Sequence, residues 1–142
     1  MITKVGCPLC TSDGGQVIYR DGGCRVVIAE EAVQTGVCRV ILDDHVAEMT
    51  DLSVERRGHL MALVFATEAA VRAALHPDKV NLASLGNQVP HLHWHVIPRF
   101  YDDAHFPDPI WASPRRTARA RRIDTETIRR SLRDTLAGGE GS

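Results

Sequence analysis

Three histidines alternate with apolar residues in His91-Leu92-His93-Trp94-His95. Strand side chains alternate faces, so in an extended chain the imidazoles share one side, about 6.5–7 Å apart, and Leu92, Trp94 and Val96 share the other. A row of imidazoles is poor core material, because each ring nitrogen needs a partner. One such histidine is ordinarily a surface or satisfied core residue; three in strict alternation point to a site. Two chemistries use such a face. One is a three-histidine metal site, although alternate strand positions suit two ligands better than three. The other is phosphate chemistry. A neutral imidazole is a good nucleophile near pH 7, and a flanking one can hydrogen-bond a phosphate oxygen or protonate a leaving group. The preceding loop, Gly86-Asn87-Gln88, offers backbone N–H groups and two amides, which suits an anion.

A second constellation is Cys7-Pro8-Leu9-Cys10. Two thiolates at this spacing form half of a zinc site, and two more ligands would be needed. Cys-Pro-x-Cys also occurs as a redox pair, but that motif follows a buried strand and opens a helix. Here only a short segment precedes it and the turn-rich Thr11-Ser-Asp-Gly-Gly follows. Without metal the pair is two reduced thiols. Cys24 and Cys38 lie in apolar, strand-like segments and read as small buried hydrophobes.

The elements that must position these residues can be read from periodicity. Val17–Arg20, Cys24–Ala29 and Val37–Leu42 read as strands, with Asp21-Gly-Gly as a hairpin turn between the first two. Leu60, Leu63, Val64, Ala70, Val71 and Leu75 recur at helical spacing, so a helix is expected from Ser53 to Leu75, capped by Asp51 or Ser53 and stopped by His76-Pro77-Asp78. Lys79–Leu85 is a fourth strand and His91–Pro98 a fifth. Residues 102–114 are irregular, rich in Asp, Pro and aromatics. A second helix is expected over Asp124–Leu136, capped by Asp124 or Thr125. Strands grouped with two helices predict an α+β domain with a mainly antiparallel sheet. The domain would occupy residues 1–137, with a knuckle segment in 1–15 and a disordered tail in 138–142.

Composition limits the function classes. The chain has 142 residues, 44% hydrophobic and 25% charged, enough for one globular core without disulfides. Its net charge of −1 argues against a protein that coats nucleic acid. No apolar run is expected to reach the roughly 20 residues of a membrane span, and the start lacks a signal-peptide pattern. A cytoplasmic protein is the default expectation, with no membrane partner. The basic run Arg115, Arg116, Arg119, Arg121 and Arg122 could meet phosphates of a nucleotide or RNA, though solvated surface or a dimer contact is the ordinary reading. Arg99, directly after the histidine strand, is placed to neutralise a substrate phosphate. His59 and His76 read as surface residues, and His105 and Trp111 as cover for a pocket or a partner subunit.

His-Leu-His-Trp-His-Val-Ile resembles the His-φ-His-φ-His-φ-φ signature of the histidine-triad (HIT) superfamily. Pro98-Arg99 is common there too. Asn81 resembles the family's nucleotide-contacting asparagine, and His45-Val-Ala-Glu-Met-Thr-Asp-Leu its segment between the third strand and the long helix. Pro98 to Trp111 is similar to a bacterial branch, so the likeness covers nearly the whole chain to about Trp111. The resemblance implies a HIT-like fold, a five-stranded antiparallel sheet with two helices, usually a homodimer. It also implies a two-step reaction in which His93 attacks the α-phosphorus to form a nucleotidyl-imidazole that water or another acceptor resolves. His95 would bind the phosphate region and help the leaving group, Asn87 and Gln88 would hold phosphate oxygens, and Asn81 would position the nucleotide. Relatives with two N-terminal cysteines, and the related galactose-1-phosphate uridylyltransferases, imply a closed structural zinc site of Cys7, Cys10, His45 and His91.

The chain departs from the family pattern in having Val37 after Gly36 where a histidine is frequent, Asn87 where glutamine is frequent, and Gln88 where serine or threonine is frequent. The ribose-binding acid falls on Glu30 or Glu31. The activity that the resemblance implies is that of a hydrolase of nucleoside phosphoramidates, dinucleoside polyphosphates or nucleotide sugars. A nucleotidyltransferase using a non-water acceptor, or a non-catalytic nucleotide-binding protein, are the alternatives.

Overall fold

A computed structural model describes residues 1–29, 34–119 and 121–139. The elements run α1 (Pro8–Thr11), β1 (Gln16–Asp21), β2 (Cys24–Ile28), β3 (Cys38–Leu42), a 3-10 turn (Met49–Asp51), α2 (Val54–Leu75), β4 (Lys79–Ala83), β5 (His93–Arg99) and α3 (Thr125–Gly139). The strands form one five-stranded sheet in the order β1-β2-β3-β5-β4, every neighbour antiparallel. The sheet matches the expected α+β architecture, and β5 lies inside it between β3 and β4. The hairpin joining β1 and β2 turns on Gly22 and Gly23, with φ of 58° and 78°. Two consecutive positive φ values are the type I′ geometry that follows the strands' own twist. A Cβ at Gly22 would also collide with the His59 imidazole.

One face of the sheet is covered by α2 and α3. Ser53 caps α2 by accepting from the Arg56 N–H at 3.1 Å, and His76 ends it in a left-handed conformation. Leu60, Leu63, Val64, Thr67, Ala70 and Val71 are its buried stripe. All but Thr67 cluster with Val26, Val40 and Val96 of the sheet, Leu92 just before β5, and Ile128 and Leu132 of α3. Truncating one of these, as in Leu60→Ala, would cost about 2–5 kcal/mol through lost burial and a cavity. At 22 residues α2 is long and apolar enough to cross a membrane, contrary to the expectation that no run would reach that length. Its packing on the sheet and on α3 makes it the core helix of this domain.

The other face is covered at both ends and open between them. At one end Cys7 and Leu9 pack on Val27 and Ile41. At the other, Ile110 of the long loop after β5 packs on Ile97, Val37 and Ala29. Arg25 of β2, 4% exposed, fastens the first cover. It donates to the carbonyls of Leu9, Ser12 and Asp13 at 2.7, 3.2 and 3.0 Å and pairs with Asp43 at 2.6 Å.

Three local expectations change. The cysteine segment contains a third helix, the single turn α1, because Pro8 presets the first helical φ and the Thr11 and Ser12 N–H groups close on Cys7 and Pro8. β5 begins at His93, so His91 precedes the strand. Pro90 lacks an N–H, while the Leu42 and Leu92 N–H groups bond to Leu92 and Val46. The last helix runs on to Gly139, beyond Leu136, with Asp124 accepting from the Glu126 N–H at 3.0 Å. The rest of the expected disordered tail lies outside the described residues.

Candidate functional site

Cys7, Cys10, His45 and His91 converge, with one donor atom of each within 4.8 Å of the others. α1 supplies the cysteines: Cys7 caps it and Cys10 sits inside it. His45 follows β3, held by its N–H to the Ile2 carbonyl at 2.8 Å. His91, fully buried, donates its Nε2–H to the Leu42 carbonyl at 2.5 Å. That bond leaves the Nδ1 lone pair for the thiols, 3.4 Å from the Cys7 sulfur and 3.5 Å from that of Cys10. His45 Nδ1 is 3.5 Å from the Cys10 sulfur, which also accepts the Lys4 N–H at 3.4 Å. Burial foremost, then the neighbouring His45, Arg25 and His93, lowers the His91 pKa against the opposing pull of the Leu42 bond. A neutral imidazole and nearby thiols are what a metal ion requires, and the donor set fits one.

His93 stands two residues further on. Its Nδ1–H donates to the His91 carbonyl at 2.6 Å, so Nε2 carries the lone pair. His95 lies beside it, ring centroids 5.0 Å apart and planes at 73°. The His95 ring also meets that of Trp111, centroids 5.1 Å apart. Burial first, then His93 and Arg39, depresses His95 to about 4. Burial, and after it Arg39, also lowers His93 against its bond to His91. Both imidazoles are therefore uncharged at neutral pH, the form in which one can act as a nucleophile.

His93 and His95 open on a cleft of about 560 Å³. Asn87 and Gln88 form one wall, on a loop that turns at Gly86 with φ +70°. Pro8, Leu9, Leu85 and Trp111 give it apolar sides. The cysteine–histidine cluster and the cleft share a wall, since the α1 segment supplies both Cys7 and Leu9.

Arg99 and Asn81 are not part of this cleft. Arg99 is 2% exposed and its donors are engaged. It pairs with Asp103 at 2.9 and 3.1 Å, and donates to Asn81 Oδ1 at 2.8 Å and the Asp108 carbonyl at 2.7 Å. Together they brace the loop that carries Trp111. Strand alternation does put Arg99 on the histidine face, but this loop folds over that end of it. Glu30 and Glu31, the candidates for the ribose acid, lie outside the described residues. In the basic run, Arg115 pairs with Asp108, Arg121 pairs with Asp102 and Arg116 donates to the Asp103 and Phe106 carbonyls.

Two cleft residues escape a reading by motif. Trp111 suits a pocket cover and a partner contact equally well in the sequence. Arg39, half-buried on β3, is the cross-strand partner of His95 and lines the same cleft. Its only signal is a charge inside the apolar run Cys38–Leu42.

The HIT domain model matches residues 12–102. The fold is shared with a histidine triad protein from Bradyrhizobium japonicum, 25% identical over 87% of this chain and 92% of that one, TM-score 0.71. It is shared with one from Marinobacter aquaeolei VT8, 20% identical over 97% and 98% of the two chains, TM-score 0.72. A zinc-bound histidine triad family protein from Mycobacterium smegmatis is 24% identical over 96% of each chain, TM-score 0.63. Among curated proteins, none matches.

Proposed function

Because the chain belongs to the HIT domain family, whose members bind nucleotides, we propose that it hydrolyses nucleotides at the α-phosphate through a covalent nucleotidyl-His93 intermediate. The observation that carries this reading is the 2.6 Å bond from His93 Nδ1 to the His91 carbonyl, which fixes the tautomer with Nε2 as nucleophile. In the first step the Nε2 lone pair forms the N–P bond, and the bond from phosphorus to the leaving group breaks, its electron pair going with that group. The proton stays on Nδ1, hydrogen-bonded to the His91 carbonyl, which stabilises the positive ring of the intermediate. In the second step water attacks phosphorus, the N–P bond breaks, a proton leaves with solvent, and neutral His93 returns. His95 hydrogen-bonds the phosphate, the Asn87 and Gln88 amides hold its oxygens, and the apolar walls accept the nucleoside.

We assign zinc to Cys7, Cys10, His45 and His91. A tetrahedral zinc with usual bond lengths has a sulfur–nitrogen edge of about 3.6 Å; here Cys7–His91, Cys10–His91 and Cys10–His45 are 3.4–3.5 Å apart, and all four donors lie within 4.8 Å of one another. Four protein donors leave no open position, so zinc would supply structure rather than Lewis acidity. The zinc-bound relative from Mycobacterium smegmatis supports the assignment. Reduced thiols suit a cytoplasmic location. A homodimer is the expected assembly, and light scattering on the purified protein tests it.

Mass spectrometry tests the catalytic reading. The protein is mixed with an adenosine 5′-phosphoramidate and quenched within seconds. The expected result is an AMP adduct on His93 that decays to AMP, faster with added phosphate only if phosphate is an acceptor. Absence of both adduct and AMP, across phosphoramidate, dinucleoside polyphosphate and nucleotide-sugar substrates, would reject covalent catalysis and leave a nucleotide-binding protein.

A further inference from the structure

The covalent reading leaves the leaving group open, and the residue facing it on the neighbouring strand is Arg39. Its register partner is His95, on the cleft-facing side of β5. Directly paired residues hold their Cβ atoms about 4.5–5.5 Å apart, well within reach of a group bound at the neighbour. Arg39 lines the cleft with His93, His95, Asn87 and Gln88. One guanidinium N–H donates to the Gly14 carbonyl at 3.1 Å, which fixes the side chain along the cleft floor.

Resting on the reading of His93 as nucleophile, we propose that Arg39 is the specificity-determining residue of this cleft, binding an anionic leaving group and so selecting phosphoanhydrides over phosphoramidates. A guanidinium is charged at every working pH and matches two phosphate oxygens. When His93 Nε2 attacks the α-phosphorus of a nucleoside polyphosphate, the bridging P–O bond breaks and its electron pair leaves on the β-phosphate as an anion, with no proton required. Charge builds on that group as the bond lengthens, and a fixed cation stabilises it most at that moment. An amine leaving group behaves oppositely. It must take up a proton before the P–N bond breaks, and the protonated nitrogen is repelled by Arg39. The uncharged His95 beside it carries no surplus proton to give.

The test compares two substrates that deliver the same adenylyl group, diadenosine tetraphosphate and adenosine 5′-phosphoromorpholidate. Wild-type protein should favour the anhydride. In Arg39→Met the ratio of the two kcat/KM values, anhydride over phosphoramidate, should fall about 10- to 100-fold, the size expected for one charge-assisted phosphate contact. Arg39→Lys should recover part of it. An unchanged ratio, or a wild-type protein that favours the phosphoramidate, would overturn the role of Arg39 while leaving His93 as nucleophile. A binding measurement separates the two failures. Calorimetry should show α,β-methylene-ADP binding more tightly than AMP to wild type, with the difference lost in Arg39→Met. If neither substrate turns over but this difference persists and depends on Arg39, covalent catalysis falls and the anion contact stands. If Arg39→Met does not fold, Arg39→Gln replaces it in both assays.

Discussion

The carbonyl oxygen of His91 lies 2.6 Å from Nδ1 of His93, while the His91 imidazole points its own Nδ1 at the thiols of Cys7 and Cys10. One residue thus serves two sites: its ring joins the cluster with Cys7, Cys10 and His45, and its backbone sets the tautomer of His93. The strand begins just after His91, at His93, and the turn there lets the ring and the carbonyl of one residue meet different partners.

If His93 is the nucleophile, His93→Ala should abolish adduct formation and lower turnover by about a thousandfold or more. The imidazole is half-buried rather than sealed in the core, so the melting temperature should move only a few degrees. Quenched mass spectrometry and calorimetry on the same preparation check both halves. Near-normal turnover by the variant would remove His93 from the mechanism.

If Cys7, Cys10, His45 and His91 hold zinc, its loss should act first on stability. Cys7→Ser breaks the donor set and should lower both metal content and melting temperature, by roughly 5–10 °C for a loss of 2–3 kcal/mol. Turnover per folded molecule should fall less, because the bond from His93 to the His91 carbonyl does not pass through sulfur. Elemental analysis is decisive, since equal zinc in wild type and Cys7→Ser would end the assignment.

The Arg99–Asp103 pair should govern acid stability. Burial pushes the Asp103 carboxyl up, but Arg99 and the N–H groups of Phe100, His105 and Phe106 outweigh it and hold the group down at about 2. The usual value is 3.8, so the pair's stabilisation is complete above about pH 4 and is lost as pH falls towards 2. That difference amounts to about 2 kcal/mol. Asp103→Asn leaves Arg99 buried without its counter-charge and should cost about 3–5 kcal/mol at pH 7. Urea melts of both proteins from pH 7 to pH 2 should show their stabilities converging in acid; parallel curves would exclude this carboxylate as the titrating group.

Trp111 should report on occupancy of the cleft. The chain has two tryptophans. Trp111 is 50% exposed at the cleft rim, whereas Trp94 packs against the helix-facing core. AMP should quench the emission of wild type and leave that of Trp111→Phe nearly unchanged. Persistent quenching in the variant would place the nucleoside away from Trp111.

Much of this molecule is legible in its amino-acid sequence. Alternation in β5 separates a reactive face from a core face, the positions of Leu60, Leu63, Val64, Ala70 and Val71 define α2, and Gly22-Gly23 marks a hairpin. These signals are local, written in φ preferences and in the two periods at which side chains repeat along a strand or a helix. The converging cysteines and histidines are visible there only through family likeness. Cys7 and His91 are 84 positions apart, and nothing in either neighbourhood specifies that α1 will pack on β2 and β3 beside His91.

What the chain's order of residues determined by itself was therefore the set of elements, the face on which the histidines lie, and the residue types available for phosphate and metal chemistry. Which cations belong to the cleft was decided by tertiary structure alone. Alternation puts Arg99 on the same face of β5 as His93 and His95, yet the loop after β5 folds back and occupies its guanidinium with Asp103, Asn81 and Asp108. Arg39, on another strand, reaches the cleft because antiparallel pairing sets it opposite His95. Strand register and loop closure are long-range choices, made by how whole faces bury against one another, so no local pattern can announce them.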